Sequence, residues 1–295
     1  MRARLILFSL IFLAACAPAD APLRSGAVAP DPRLAALQAL ADKTLPWQEK
    51  MPPVKPGEWR SYWRETDESP TRYLADHPQT VTAPRRVLYL QPIGDFTPSQ
   101  LAKHEIIREF LSVYFGTPVK LSPVLPMSDL PRSTRRAANG KPAIRVIELT
   151  DKFLAPRLPP DGWGLMALCA DDLYKNEGVS GIYGDTLLYG RAGAISWFHL
   201  NDDLSLMLKG AAHECAHMLS LKHCADYLCN MNGRVTIAEF HRSPLYLCPA
   251  CMTKLAFAAP VEMPARYRLL ADLCARHHLT REANFYRHAA DAVSR

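Results

Sequence analysis

The spacing of apolar positions changes along the chain, and each change predicts a different kind of element. Residues 1–15 hold a nearly unbroken apolar run, Leu5 to Leu13, behind Arg2 and Arg4. The run is too short to span a bilayer. A basic head, a short apolar middle and a small-residue end at Ala14-Ala15 form the pattern of an export signal. Residues 16–85 lose all long periodicity, because prolines recur from Pro18 to Pro84. One helix is predicted there, Pro32 to Lys43, with Leu34, Leu37 and Leu40 on one side. Trp47, Trp59, Tyr62, Trp63 and Tyr73 are too apolar for a free tether. This proline-rich extension is expected to begin as a linker and then lie against the main domain.

From Arg86 the pattern alternates between the two periods. Val87–Gln91, Val119–Val124, Leu165–Cys169 and Gly193–Leu200 read as strands. Thr97-Pro98 starts a helix to about Tyr114, with Leu101, Ile106, Phe110 and Leu111 on its apolar side. Ala143–Leu154 reads as another helix. Asp202 or Asp203 caps a third, which runs to about Leu219. After an irregular stretch, Cys251–Phe257 and Pro264–Val293 read as C-terminal helices. The prediction is one α/β (α+β) domain over residues 86–295, with a mixed sheet and a C-terminal helical subdomain.

Composition narrows the function. Apolar residues at 48% and charged residues at 22% permit a sizeable core. The net charge of +6 is scattered, without a dense basic stripe or an RNA-binding aromatic signature, which argues against nucleic acid. A mild positive balance suits an anionic membrane surface.

The chemistry lies in His213-Glu214-Cys215-Ala216-His217, followed by His223. Four residues on a helix is about 400° of rotation, so His213 and His217 leave the same face one turn apart. That spacing suits one zinc ion with Zn–N bonds of about 2 Å. If the helix stops near Leu219 and the chain turns back, His223 supplies a third ligand. Three protein ligands leave a position open for water, which marks a catalytic zinc. Glu214, on the adjoining flank, is then the general base that activates the zinc-bound water for attack on a peptide carbonyl. Just beyond, Cys224, Cys229, Cys248 and Cys251 form two close pairs separated by a loop. Such pairs suit a tetrahedral structural zinc, and disulfides are the alternative in an exported chain.

The run His213 to Cys251, including Cys229-Asn230-Met231-Asn232-Gly233 and Ser243-Pro244-Leu245-Tyr246-Leu247-Cys248-Pro249-Ala250-Cys251, resembles the archaemetzincins of the metzincin clan. Leu90–Gly94, Asp171–Tyr174 and Ile182–Gly184 resemble that family more weakly. The resemblance implies a metallopeptidase with two zinc ions per chain, one catalytic on His213, His217 and His223 and one structural on the four cysteines. It implies Glu214 as the base, Met231 as an apolar floor beneath the metal, and a twisted mixed sheet. It also implies that Ala194–His199 is an edge strand able to pair with a peptide or protein substrate by β-augmentation. Where the metzincin pattern has Gly three residues after the second His, this chain has Ser220, which predicts a strained or slightly altered turn that leaves the metal site intact. Leu13-Ala14-Ala15-Cys16 resembles the lipobox of bacterial lipoproteins, implying acylation of Cys16 and lipid anchoring of the chain to a membrane of the cell envelope.

Other residues carry plainer expectations. Cys215, Cys169 and Cys274 read as buried thiols. His277 and His278 read as surface or capping residues, His199 and His241 as non-ligands, and Tyr246 as an oxyanion candidate on sequence proximity alone. The alternative function is a non-catalytic, zinc-stabilised module that binds a peptide or envelope partner. It has no use for Glu214.

Overall fold

The computed structural model describes residues 31–138, 141–176 and 179–295. The export signal and Cys16 lie outside the described residues. The described residues open with α1 (Pro32–Asp42), capped by the Asp31 carboxylate, followed by the short helices α2 (Trp59–Tyr62) and α3 (Pro70–Ala75). Next come β1 (Val87–Ile93), α4 (Pro98–Phe115) and β2 (Val119–Leu121). Thr97 and Gln100 close a reciprocal cap at the start of α4, as the Thr-Pro signal predicts.

Seven further strands follow: β3 (Arg135–Ala138), β4 (Lys141–Arg145), β5 (Gly162–Cys169), β6 (Asp172–Asn176), β7 (Val179–Ile182), β8 (Gly184–Thr186) and β9 (Ala192–Ser196). The central helix is α5 (Leu204–Met218), capped by Asp203. After it come α6 (Ile237–Arg242), α7 (Pro249–Ala258), α8 (Met263–Arg276) and α9 (Thr280–Val293). No described helix is long and apolar enough to cross a membrane.

The main sheet has the order β2-β1-β5-β9-β8. Its first four strands are parallel, and β8 pairs antiparallel with β9 at the edge. The two-residue period sorts β5 between two cores. Met166 and Leu168 join the larger one, with α4, α5 and the C-terminal helices, and Leu165, Ala167 and Cys169 join the smaller one on the other face. Ile93, Ile144, Val146, Leu149 and Leu173 fill that smaller core.

Three sequence expectations need correction. Ala143–Leu154 is helical only in part: Ala143–Arg145 belong to β4, and the helical turns start at Val146 and widen over Glu148–Leu154. β4 sits in a second sheet, β3-β4-β6-β7, in which Ala143, Ile144 and Arg145 pair with Asp172, Leu173 and Tyr174. Ala194–His199 is not the edge strand. β9 is interior and buried along its whole length, and the edge is β8. The irregular stretch after α5 contains α6, held by a reciprocal Thr236–Glu239 cap.

Residues 31–85 pack onto the rest of the chain. Trp59 and Tyr73 are buried. The Tyr73 hydroxyl donates to the Leu219 carbonyl, and the Val81 N–H donates to Ala258 O at 2.8 Å.

Candidate metal centres

The first centre grows out of α5. Every residue of this helix from Leu206 to Met218 is buried, so the helix runs through the middle of the fold. His213, Glu214 and His217 occupy its last two turns. The helix ends at Leu219 by a two-bond reversal: Ser220 N–H donates to His217 O at 2.8 Å, and Leu221 N–H donates to Ala216 O at 3.2 Å. This reversal puts Ser220 at φ +64, in the left-handed region that favours glycine. The backbone strain, on the order of 1 kcal/mol, is accepted because Ser220 Oγ is engaged by the Gln79 N–H at 3.0 Å. The turn also aims the Leu221 carbonyl back at the helix, where His217 Nδ1 meets it at 2.6 Å. Beyond the turn, His223 comes round to the face of His213 and His217, with ring centroids 5.3 and 4.9 Å from theirs.

The hydrogen bonds decide which nitrogens face inward. His213 Nδ1 lies 2.8 Å from the Asn230 carbonyl, and His217 Nδ1 contacts the Leu221 carbonyl. A carbonyl only accepts, so both Nδ1 atoms carry protons and both Nε2 atoms present lone pairs. Those two Nε2 atoms stand 2.9 Å apart. Two bare acceptors at that distance repel unless a cation or proton sits between them. Burial and the mutual repulsion of the imidazoles hold His213 well below the usual histidine range and bring His217 down to about 3, so protons are disfavoured there. A metal cation is what the arrangement accommodates. The ligand atoms of His213, His217 and His223 all fall within 4.8 Å of one another. Zn–N bonds of about 2 Å in tetrahedral geometry imply nitrogens roughly 3.3 Å apart, so the donor set fits zinc.

Glu214 leaves the adjoining flank of α5 and is 8% exposed. Burial, and secondarily Asp185, raise its carboxyl to about 8. The edge strand runs across it: a Cβ on Gly184 would lie 2.9 Å from Glu214 Oε1 and 3.0 Å from its Cγ. Only glycine lets β8 pass this close to the carboxylate.

The second centre is the cysteine cluster. Cys224, Cys229, Cys248 and Cys251 are all buried, and their Sγ atoms lie within 4.8 Å of one another. Cys224 and Cys248 Sγ are 3.7 Å apart, far beyond a disulfide bond of about 2.05 Å. Zn–S bonds of about 2.3 Å in tetrahedral geometry imply sulfurs roughly 3.8 Å apart, so this set too fits zinc. The neighbouring thiols donate to Cys224 and drive it far below the ordinary thiol range. Asn232 braces the loop, with its side-chain amide on the Cys224 and Tyr227 carbonyls at 2.7 and 2.9 Å. Met231 is fully buried, and its carbonyl accepts the Cys224 N–H at 2.8 Å.

The lesser residues fall outside both centres. Cys215, Cys169 and Cys274 are buried free thiols, pushed upward by burial. His277 is the C-cap of α8 and His278 follows it at φ +58, while His199 pairs with Asp172 at 2.9 Å. His241 is exposed. Tyr246 stacks on Phe285 at 3.6 Å within the C-terminal packing, which leaves the oxyanion idea without support. Sequence reasoning missed two residues beside the first centre. Arg234 Nη2 donates to the Asn230 carbonyl that also meets His213, and Glu65 reaches His223. Neither carries a spacing signal, because each is placed by the folded backbone.

No protein-family model matches the chain. Archaemetzincin-2 of Macaca fascicularis is 25% identical over 258 residues, covering 73% of this chain and 71% of that protein. The archaemetzincin of Archaeoglobus fulgidus is 27% identical over 181 residues, covering 58% of this chain and 99% of its own length. A crystal structure of archaemetzincin from Methanopyrus kandleri aligns with a TM-score of 0.49 and 21% identity, over 60% of this chain and 96% of that one. The chain thus carries its histidine and cysteine clusters in a mixed α/β fold, and in sequence it is similar to archaemetzincins over most of its length.

Proposed function

We propose that this chain is a zinc-dependent peptidase, with His213, His217 and His223 holding the catalytic zinc and Glu214 serving as general base. The observation that carries this reading is the inward-facing pair of His213 and His217 Nε2 atoms beside a buried carboxyl. A zinc ion held by three neutral imidazoles supplies Lewis acidity at an open position, acidifying water and polarising a carbonyl. The rest of the work falls to the protein. The two carbonyls on His213 and His217 fix the ring tautomers before any ligand arrives. A cation held by the three imidazoles would favour the charged form of this raised Glu214 carboxyl. In that form Glu214 can take a proton from water and release it to the departing amine.

The edge strand β8 supports the choice of substrate. Its outer side is unpaired in the main sheet, and it passes directly over Glu214. An extended peptide adding to β8 would lie with its backbone beside the base. This moves the β-augmentation role from Ala194–His199 to Gly184–Thr186. The cysteine cluster, buried and offering four thiols, is read as the site that would hold a second, structural zinc. The lipobox-like Leu13-Ala14-Ala15-Cys16 supports a lipid-anchored chain at the cell envelope.

The test is cleavage of a fluorogenic peptide library by the zinc-loaded chain and by Glu214→Gln. The variant is expected to keep its zinc and lose roughly 10²- to 10⁴-fold in rate, the usual worth of a general acid–base. Equal cleavage by both proteins would overturn the assignment.

A further inference from the structure

The segment from Glu58 to Glu68 belongs to the proline-rich extension, yet it runs along the loop that carries His223. Its contacts are numerous and specific. Glu58 pairs with Arg242 at 2.7 Å, and the Trp59 N–H donates to Glu239 Oε1 at 2.8 Å. The Trp59 ring lies so close to Gly233 that any Cβ there would collide with it. It also meets the His223 ring in a T-shaped contact, with centroids 5.0 Å apart. Asp67 Oδ1 accepts the Ala225 N–H at 2.8 Å, and the buried Glu68 pairs with Lys222 at 2.7 Å. Between these clamps, the Glu65 carboxylate spans His223 Nδ1 with both oxygens, at 3.1 and 2.9 Å.

We propose that Glu65 is a positioning residue of the histidine centre: its carboxylate fixes the tautomer and rotation of His223, so that Nε2 is presented to the ion. This inference rests on the three-histidine centre proposed above. His213 and His217 are each fixed by a main-chain carbonyl, but His223 lies on a loop and, among the described residues, has no such carbonyl as a hydrogen-bond partner. Glu65 takes that place. A carboxylate on the far nitrogen of a ligating histidine sets its tautomer and its orientation. As a stability element the pair counts for little, because its side chains are 27% and 38% exposed. Its geometry is nevertheless tightly held, since residues on either side of it are clamped. The extension thereby becomes part of the metal centre.

The experiment measures zinc affinity by chelator competition, and the visible spectrum of the cobalt-substituted histidine centre, in wild type, Glu65→Ala, Glu65→Gln and His223→Ala. Glu65→Ala is expected to weaken zinc binding by 10- to 100-fold and to shift the cobalt spectrum. Glu65→Gln keeps a neutral acceptor on Nδ1 and is expected to fall between wild type and the alanine variant. The thermal midpoint of the protein stripped at this centre should match wild type in both. Wild-type zinc affinity in Glu65→Ala would overturn the inference while leaving the centre intact, and so would a loss of stripped-protein stability that accounts for the weaker binding. His223→Ala serves as the control: no metal lost on that change would overturn the histidine centre itself, and the role of Glu65 with it.

Discussion

The two clusters sit side by side in the chain, joined at His223-Cys224, yet they differ in almost every physical respect. The cysteine centre is closed: four buried sulfurs with mutual distances suited to a tetrahedral ion, drawn from one loop and the start of α7. The histidine centre is one ligand short of that. Its third ring is half-buried, and the edge strand and Glu214 flank it. Closing all four positions with protein makes a centre that holds structure. Leaving one open, beside a carboxyl raised by burial, makes a centre that can do chemistry.

Substitutions should separate the two. The largest effect is expected from Cys229→Ser: metal bound to a structural site is folding free energy, so the thermal midpoint should fall by about 10 °C or more. A midpoint within a few degrees of wild type would show that the cysteines hold nothing the fold needs. Next, His213→Ala should remove one zinc equivalent and all hydrolysis, while the cysteine zinc and the fold remain; metal analysis with circular dichroism checks both. Loss of both metals together would mean that the centres are not independent.

A smaller, pH-dependent effect is expected for Glu214 in protein stripped of metal at the histidine centre. The folded carboxyl releases its proton near 8, whereas the unfolded one does so near 4.5. Between those values the folded state binds more protons than the unfolded state, so this group's contribution to stability declines as pH rises through that window. Glu214→Gln removes the decline. Its thermal midpoint should exceed wild type above pH 8 and match it below about 4.5; equal midpoints throughout would contradict a carboxyl raised by burial. The smallest change is expected from Ser220→Gly. Relief of the left-handed strain, about 1 kcal/mol, is offset by losing the Gln79 hydrogen bond. Zinc content should be unchanged, and a fall in zinc would show that the turn depends on the serine hydroxyl.

Local spacing made much of this legible. His213 and His217 share a helix face by arithmetic alone, and the Thr97 and Asp203 caps mark where α4 and α5 begin. Short-range cues failed where long-range pairing decided the outcome. Ala143-Ile144-Arg145 is too short to display a period, and becomes a strand only because β3 and β6 flank it. Gly184-Asp185-Thr186 is short and polar and carries no strand signal of its own, so the sequence puts the edge on Ala194–His199 instead. The run of small and apolar residues over Ala192–Ser196, without polar alternation, is the sequence sign that β9 is interior. Glu65 stands 158 residues from His223, and nothing in either neighbourhood announces the pairing.

The most direct test is a crystal structure of the zinc-loaded chain with anomalous data collected at the zinc edge. The expected result is a peak bonded to Nε2 of His213, His217 and His223 at about 2.1 Å, with Glu214 beside it but not ligating. A chain without a peak there, or with a peak held by only two of the histidines while His223 points elsewhere, would contradict the account.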